Sequence, residues 1–267
     1  MAPYENRPGQ PQNGSENMTI RLRAFAVLAL GLLIAGCGSS SDTPDAGAPA
    51  PDDSAYTFGK PSPGGTGKFY MGREIPEING PPDAAWLDRT SREAEEHTEK
   101  VAANLDLKPD DVVADIGAGT GFFTFRINPL VPDGIVYAED IDPDMIKVID
   151  RRKANRHADN VTTVLGTVTD PKLPKSSVDL VLLVETYHAL TYPKEMMQAI
   201  RTSMKPGARL VIIEHRKSSP PSNPLEAIPE AQLVAEMKAA GFILIADKDV
   251  LPVQNFLVFQ KPEGAKN

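Results

Sequence analysis

The stretch Val112-Val113-Ala114-Asp115-Ile116-Gly117-Ala118-Gly119-Thr120-Gly121 decides how the rest of this 267-residue chain reads. Its first half is a short apolar run, the pattern of a strand buried on both faces of a parallel sheet. Its second half is an acid followed by three alternate glycines, where a strand has to turn tightly into a helix. Residues without a Cβ let the backbone bend there and let a ligand come close. Asp115 stands just before the first glycine, where its carboxylate would repel a phosphate but could hold an amino group. A Gly-x-Gly-x-Gly run alone is weak evidence, so the spacing beyond it carries the next step.

Twenty-five residues after Asp115, a second apolar run, Ile135-Val136-Tyr137-Ala138, ends in Glu139-Asp140-Ile141-Asp142. An acid at the tip of the second strand of a βαβ unit can accept two hydrogen bonds from a ribose diol. Together the two acids describe a ligand with a cationic amino-acid end and a ribose but no phosphate. S-adenosylmethionine has that shape. A nucleotide-dependent oxidoreductase fits less well, because Asp115 faces the place its pyrophosphate would occupy.

Later runs continue the alternation. Asp142-Pro143 opens a helix with an acidic cap and a proline in its first turn. Val161 to Leu165 reads as the third strand and Val178 to Val184 as the clearest buried strand. Arg209 to Ile213 is the fifth, and Phe242 to Ala246 with Phe256 to Gln260 form a terminal pair. Strands alternating with helices predict an α/β doubly wound sheet. The loop Thr167-Val168-Thr169-Asp170 follows the third strand, so Val168 is expected against an adenine ring, whose amine would point at Asp170 or a backbone carbonyl. The polar exit of the fourth strand supplies the candidate catalytic group: His188 and Tyr187 as proton acceptors, Glu185 as orienter or second choice. His215 is a later candidate. No metal is expected, because the sequence shows no His-x-x-x-His and no clustered carboxylate pattern.

The net charge of −8, with no broad basic patch, gives no reason to expect a nucleic-acid partner. One cysteine, Cys37, excludes an intrachain disulfide. A short basic segment, Met18 to Arg23, precedes an apolar run from Ala24 to Ala35, the order of a secretory signal, with Met18 a candidate start. The run is shorter than the ~20 residues that span a bilayer. Residues 38–65 are rich in Ser, Gly, Pro, Ala and Asp and read as a flexible tether. Residues 1–37 therefore form the extension and signal, 38–65 the linker, and 66–267 the domain with a helical cap at its start. In that cap Tyr70, Arg73 and Trp86 are candidates for a lid over the site, and a helix is expected from Thr90 to about Leu105.

Ile34-Ala35-Gly36-Cys37 resembles the lipobox of bacterial lipoproteins. That resemblance implies a lipid on Cys37 and an envelope location, in an outer membrane facing the periplasm since Gly38 and Ser39 follow the cysteine; an unused signal would leave the chain in the cytoplasm. The glycine stretch, Asp140, the run Gly207 to Glu214 and the final hairpin resemble the class I S-adenosylmethionine-dependent methyltransferases. Tyr70 to Ile75, Trp86 to Arg89 and Val184 to His188 resemble a bacterial subgroup of them that often carries secretion signals. The resemblance implies a Rossmann-like seven-stranded sheet in the order 3-2-1-4-5-7-6, with strand 7 antiparallel. By the same resemblance Gly117, Ala118, Gly119 and Gly121 approach the amino-acid end of S-adenosylmethionine and Asp115 reaches its amino group. Asp140, with Ile141 beside it, takes the ribose, and Thr167 and Val168 lie by the adenine, although many relatives have an acid where Thr167 stands. The expected activity is methyl transfer to a small molecule or lipid. Because export would separate the chain from cytoplasmic S-adenosylmethionine, the alternative is a non-catalytic envelope module that binds a nucleoside or metabolite.

Overall fold

A computed structural model describes residues 52–78, 84–218 and 221–264. The signal, the lipobox and Cys37 lie outside the described residues.

Seven strands form the main sheet: β4 (Val112–Ile116), β5 (Ile135–Asp140), β6 (Val161–Leu165), β7 (Val178–Val184), β8 (Met204–His215), β9 (Ile243–Asp247) and β10 (Gln254–Gln260). They lie in the order β6-β5-β4-β7-β8-β10-β9. Counted from β4 this is 3-2-1-4-5-7-6. The pairs β6-β5, β5-β4, β4-β7 and β7-β8 are parallel, and β10 runs antiparallel to both β8 and β9. The central strands are buried because both faces are covered: Val113, Leu180, Leu182 and Val211 pack on one side and Ala114, Val181, Leu183 and Leu210 on the other. Such strands have to be continuously apolar, and Val178 to Val184 nearly is.

The order reverses beside β4, the point at which open α/β sheets form their ligand crevice. Helices cover both faces of the sheet: α5 (Pro143–Arg156) packs Ile149 on one side, and α6 (Pro193–Ser203) and α7 (Glu230–Ala239) pack Met197, Ile200, Leu233 and Met237 on the other. The cap on α5 forms as its sequence predicts, with Asp142 Oδ1 accepting from Asp144 N at 2.8 Å. No described helix is long and apolar enough to cross a membrane.

The segment before the sheet departs from expectation. Instead of a tether to residue 65 followed by a helical cap, it holds a second antiparallel sheet of β1 (Tyr56–Phe58), β2 (Gly65–Tyr70) and β3 (Arg73–Pro76). Met71 and Gly72 join β2 to β3 with φ of 48° and 87°, the doubly positive backbone of a tight hairpin turn. Tyr56, Tyr70 and Ile75 give this sheet its own buried cluster, with Tyr192 against it. A truncation at residue 66 would remove β1 and the first residue of β2. The helix expected from 90 to 105 is two short pieces, α2 (Arg92–Glu96) and α3 (Thr98–Ala103), after a single turn α1 (Ala84–Leu87). His97, at φ 52°, breaks it.

Candidate active site

The glycine turn is pinned to the tip of β5 by hydrogen bonds. Ala118 N donates to the Glu139 carbonyl at 2.8 Å, and Gly119 N donates to Asp140 Oδ2, also at 2.8 Å. Asp140 Oδ1 accepts from Asp142 N at 2.9 Å. Each Asp140 oxygen thus has one backbone partner and keeps acceptor capacity toward the crevice. Gly117, at φ 67°, has no room for a side chain, since a Cβ would sit 2.5 Å from the Thr186 methyl. Gly121 serves packing instead. A Cβ there would meet the Phe125 ring at 2.8 Å.

Asp115 is buried, and its Oδ2 accepts from Thr124 Oγ1 at 2.6 Å. Burial raises it to about 6 against the pull of that hydrogen bond, and the nearby Asp140 charge adds to the rise. Glu139 is more extreme: burial pushes it to about 8, its Oε2 accepts from Gly117 N at 3.3 Å, and its Oε1 has no partner. Three acids therefore stand close together at the sheet's switch point with burial opposing their charge.

They line one wall of a cavity of about 890 Å³, in which Gly117, Ala118, Gly119, Thr120 and Ile141 also take part. The rest of the lining includes an apolar set, Ile75, Pro76 and Ile78, Leu87, and Leu190 with Met196; Ile75 and Leu87 belong to the stretches read as a lid, and Leu87 lies close against Gly119. Lys68 adds an ammonium held 3.3 Å from the Tyr192 ring centre and 4.0 Å from that of Tyr56. Thr66 and Lys68, two apart on β2, both line the cavity, the spacing of side chains on one face of a strand.

Several sequence candidates lie elsewhere. Thr167, Val168 and Asp170 are not in the cavity lining. Their loop closes on itself: Thr167 N donates to the Asp170 carbonyl at 2.9 Å and Asp170 N to Thr167 Oγ1 at 3.0 Å. A hydroxyl side chain does this readily, and it leaves Val168 42 % exposed. Of the proposed lid, Trp86 is half exposed under the Arg89 guanidinium. Tyr70 is buried in the small sheet and Arg73 is spent on Glu236. None of these three lines the cavity.

The exit of β7 separates its three candidates. Glu185, in the left-handed region at φ 51°, lines the cavity and accepts from Gln254 Nε2 at 2.9 Å. The turn it makes drives Tyr187 inward, where the ring is fully buried and its hydroxyl donates to Glu236 Oε2 at 2.6 Å. His188 lies behind Glu185, with Nδ1 2.7 Å from Glu214 Oε2. Only Glu185 of the three meets the cavity wall.

The lining carries seven carboxylates, including Glu77, Asp142, Asp144 and Glu185, against two cations, Lys68 and Arg92. Arg92 is already paired with Glu96 at 2.9 Å. The helix after the glycine turn, Thr124–Ile127, is a single turn, too short to offer a strong dipole to a phosphate. This donor set fits a ligand with a positive end and hydroxyls, and so fits S-adenosylmethionine.

Comparison with known proteins agrees. The chain is 30% identical over 146 residues to the ubiquinone/menaquinone biosynthesis C-methyltransferase UbiE of Ectopseudomonas mendocina, covering 54% of this chain and 56% of the relative. The Azotobacter vinelandii protein of the same name is 31% identical over 140 residues, covering 51% and 54%. The chain thus spans about half the length of the curated relatives it matches. Among solved structures, a SAM-dependent methyltransferase from Aquifex aeolicus superposes with a TM-score of 0.65 at 24% identity, covering 69% of this chain and all of that one. The [4+2]-cyclase SpnF superposes at 0.55 with 15% identity, covering 63% and 82%. These two likenesses bear on the fold, and a fold leaves the reaction open. The family described as "Methyltransferase domain" matches residues 107–254, more than half of the sequence from β4 to the start of β10, and the chain belongs to that family, with S-adenosylmethionine as its cofactor.

Proposed function

We propose that this chain transfers a methyl group from S-adenosylmethionine to an apolar small-molecule or lipid acceptor. The observation that carries the reading is one cavity of about 890 Å³ lined by both the acidic glycine turn and a set of apolar side chains. That volume is near the top of the ~300–1,000 Å³ range of ligand pockets, room for a cofactor and a second molecule. The name of the curated relatives, a quinone-biosynthesis C-methyltransferase, supports an apolar, ring-bearing acceptor.

When bound, the cofactor supplies a methyl group activated by its sulfonium sulfur. The protein supplies position and dryness. Asp140 accepts hydrogen bonds from the ribose hydroxyls, and Asp115 pairs with the amino group. Ile75, Ile78, Leu87, Leu190 and Met196 exclude water from the acceptor's half, and Glu185 is the polar point of the β7 exit that meets it.

The test is calorimetric titration of the full chain with S-adenosylmethionine, followed by transfer of a labelled methyl group to a short-chain demethylated quinol. Saturable binding and label in the organic extract are expected. Binding without transfer to any apolar acceptor would overturn the catalytic reading.

Affinity for the cofactor should also depend on pH. Burial holds Asp115 up at about 6, and only its ionised form pairs with an ammonium group. Affinity is therefore expected to rise from about pH 5 to about pH 7. Stability of the domain itself runs the other way. A carboxylate raised on folding from 3.8 to about 6 contributes stability that is present below its unfolded value and lost as pH rises through its folded one. An affinity that stays flat across that interval would rule out Asp115 as the amino group's partner.

A further inference from the structure

We propose that Glu185, His188 and Glu214 form a binding site for a divalent first-row transition metal at the β7–β8 end of the cavity. The proposal stands on geometry independent of the cofactor. The sequence offers no metal pattern, yet one ligand atom from each of these residues lies within 4.8 Å of the other two. The parallel pairing of β7 with β8 sets Val184 against Ile213, which brings the next residue of each strand, Glu185 and Glu214, side by side. The turn at 187–189 then folds His188 back onto Glu214, whose Oε1 accepts the His188 backbone N–H at 3.1 Å.

Two observations point to a missing cation. The first is charge. Glu214 is fully buried and Glu185 largely so; a protonated His188, its Nδ1 2.7 Å from Glu214 Oε2, offsets one of the two carboxylates, and the pair is still one positive charge short in a low-dielectric interior. The second is a pair of orphaned polar atoms at the same spot. Gln254 is 1 % exposed and donates to Glu185, but its Oε1 has no hydrogen-bond partner. His215, opposite Gln254 in the β8–β10 register, has its Nε2 3.7 Å from Glu185 Oε1 and its buried Nδ1 unpartnered. Side chains that orient metal ligands from behind stand in this relation to them.

The ligand set also selects the ion. Two carboxylates and one imidazole suit Mn²⁺, Fe²⁺ or Zn²⁺ better than Mg²⁺ or Ca²⁺, which favour all-oxygen sites. Metal bonds of about 2.0–2.2 Å bring such donors closer together than the 4.8 Å envelope, so side-chain rotation closes the site. Three protein ligands leave coordination positions open. Glu185 is the one ligand of the three in the cavity wall, so the site borders the cavity through it.

The experiment uses the full chain, stripped of metal by chelation and titrated with Mn²⁺ under electron paramagnetic resonance and with Zn²⁺ by calorimetry. One ion per chain is expected, with imidazole nitrogen coupling in the pulsed spectrum of bound Mn²⁺. Glu185→Gln should weaken binding at least tenfold, and His188→Gln should remove the nitrogen coupling. No stoichiometric binding by the folded wild-type chain would overturn the proposal, as would bound Mn²⁺ without nitrogen coupling or an unchanged affinity in Glu185→Gln. Should either variant fail to fold, the wild-type stoichiometry and spectrum still decide. Because metal binding is read without S-adenosylmethionine, its failure is distinct from failure of the methyl-transfer reading.

Discussion

Asp140→Ala is expected to lower affinity for S-adenosylmethionine by about a hundredfold or more. The carboxylate would accept two hydrogen bonds from the ribose, and a hydrogen bond to a charged group contributes about 1.5–3 kcal/mol. Two such bonds lost imply ~3 kcal/mol at the low end, and every 1.4 kcal/mol is roughly tenfold. The variant has a second consequence. Asp140 also accepts from Gly119 N and Asp142 N, so alanine releases the glycine turn from the tip of β5. Asp140→Asn is the milder change: it keeps the shape and one acceptor oxygen, so it can still hold one of the two backbone N–H groups, but it loses the charge and sets its NH2 against the other. Calorimetry with the cofactor and its demethylated product should give a graded series, wild type above Asn above Ala. Wild-type affinity in Asp140→Ala would remove the ribose assignment.

How far the sequence could be read depended on whether a feature is written in residue type or in backbone geometry. The strand Val178–Val184 and the turn after Val112–Ile116 were legible because burial on both faces demands a continuous apolar run and close approach demands glycine. The order of the strands came from resemblance; periodicity supplied only the alternation of strands and helices. The small sheet of β1, β2 and β3 was missed because glycines and charges interrupt its pattern, although Met71-Gly72 held a readable hairpin turn. Nothing in the letters marks the break at His97, a non-glycine residue in the left-handed region.

The same limit explains the catalytic candidates. Reading forward from β7 placed Glu185, Tyr187 and His188 together at the strand's mouth. The positive φ of Glu185 parts them, and no side-chain preference announces it. Conversely, Glu185 and Glu214 are 29 positions apart and become neighbours only through the register of a parallel pair. Thr167 shows a milder case. Its hydroxyl accepts from Asp170 N, so the loop ties itself shut and stays out of the cavity.

The largest effect on stability is expected at Glu236, which joins three parts of the chain distant in sequence. On α7, and fully buried, it accepts from Arg73 Nε at 2.9 Å, Arg73 Nη2 at 3.0 Å and the Tyr187 hydroxyl at 2.6 Å. It thereby fastens the small sheet through β3 and the β7 exit onto the helix. Glu236→Ala would leave the Arg73 guanidinium buried without a counter-ion and the Tyr187 hydroxyl without an acceptor. Breaking one side of such a pair costs about 3–5 kcal/mol, a large part of the ~5–15 kcal/mol that holds a typical domain folded. Urea unfolding should show an unfolding free energy lower by that amount, read as a lower midpoint at unchanged slope, accompanied by looser packing of the cavity's β2–β3 wall. Removing both charges isolates the cause: Arg73→Met with Glu236→Met leaves no orphaned ion and should be less destabilising than Glu236→Ala alone. A cost below about 1 kcal/mol for Glu236→Ala, the range of exposed pairs, would mean that water reaches Arg73 and that this junction does not hold the small sheet in place.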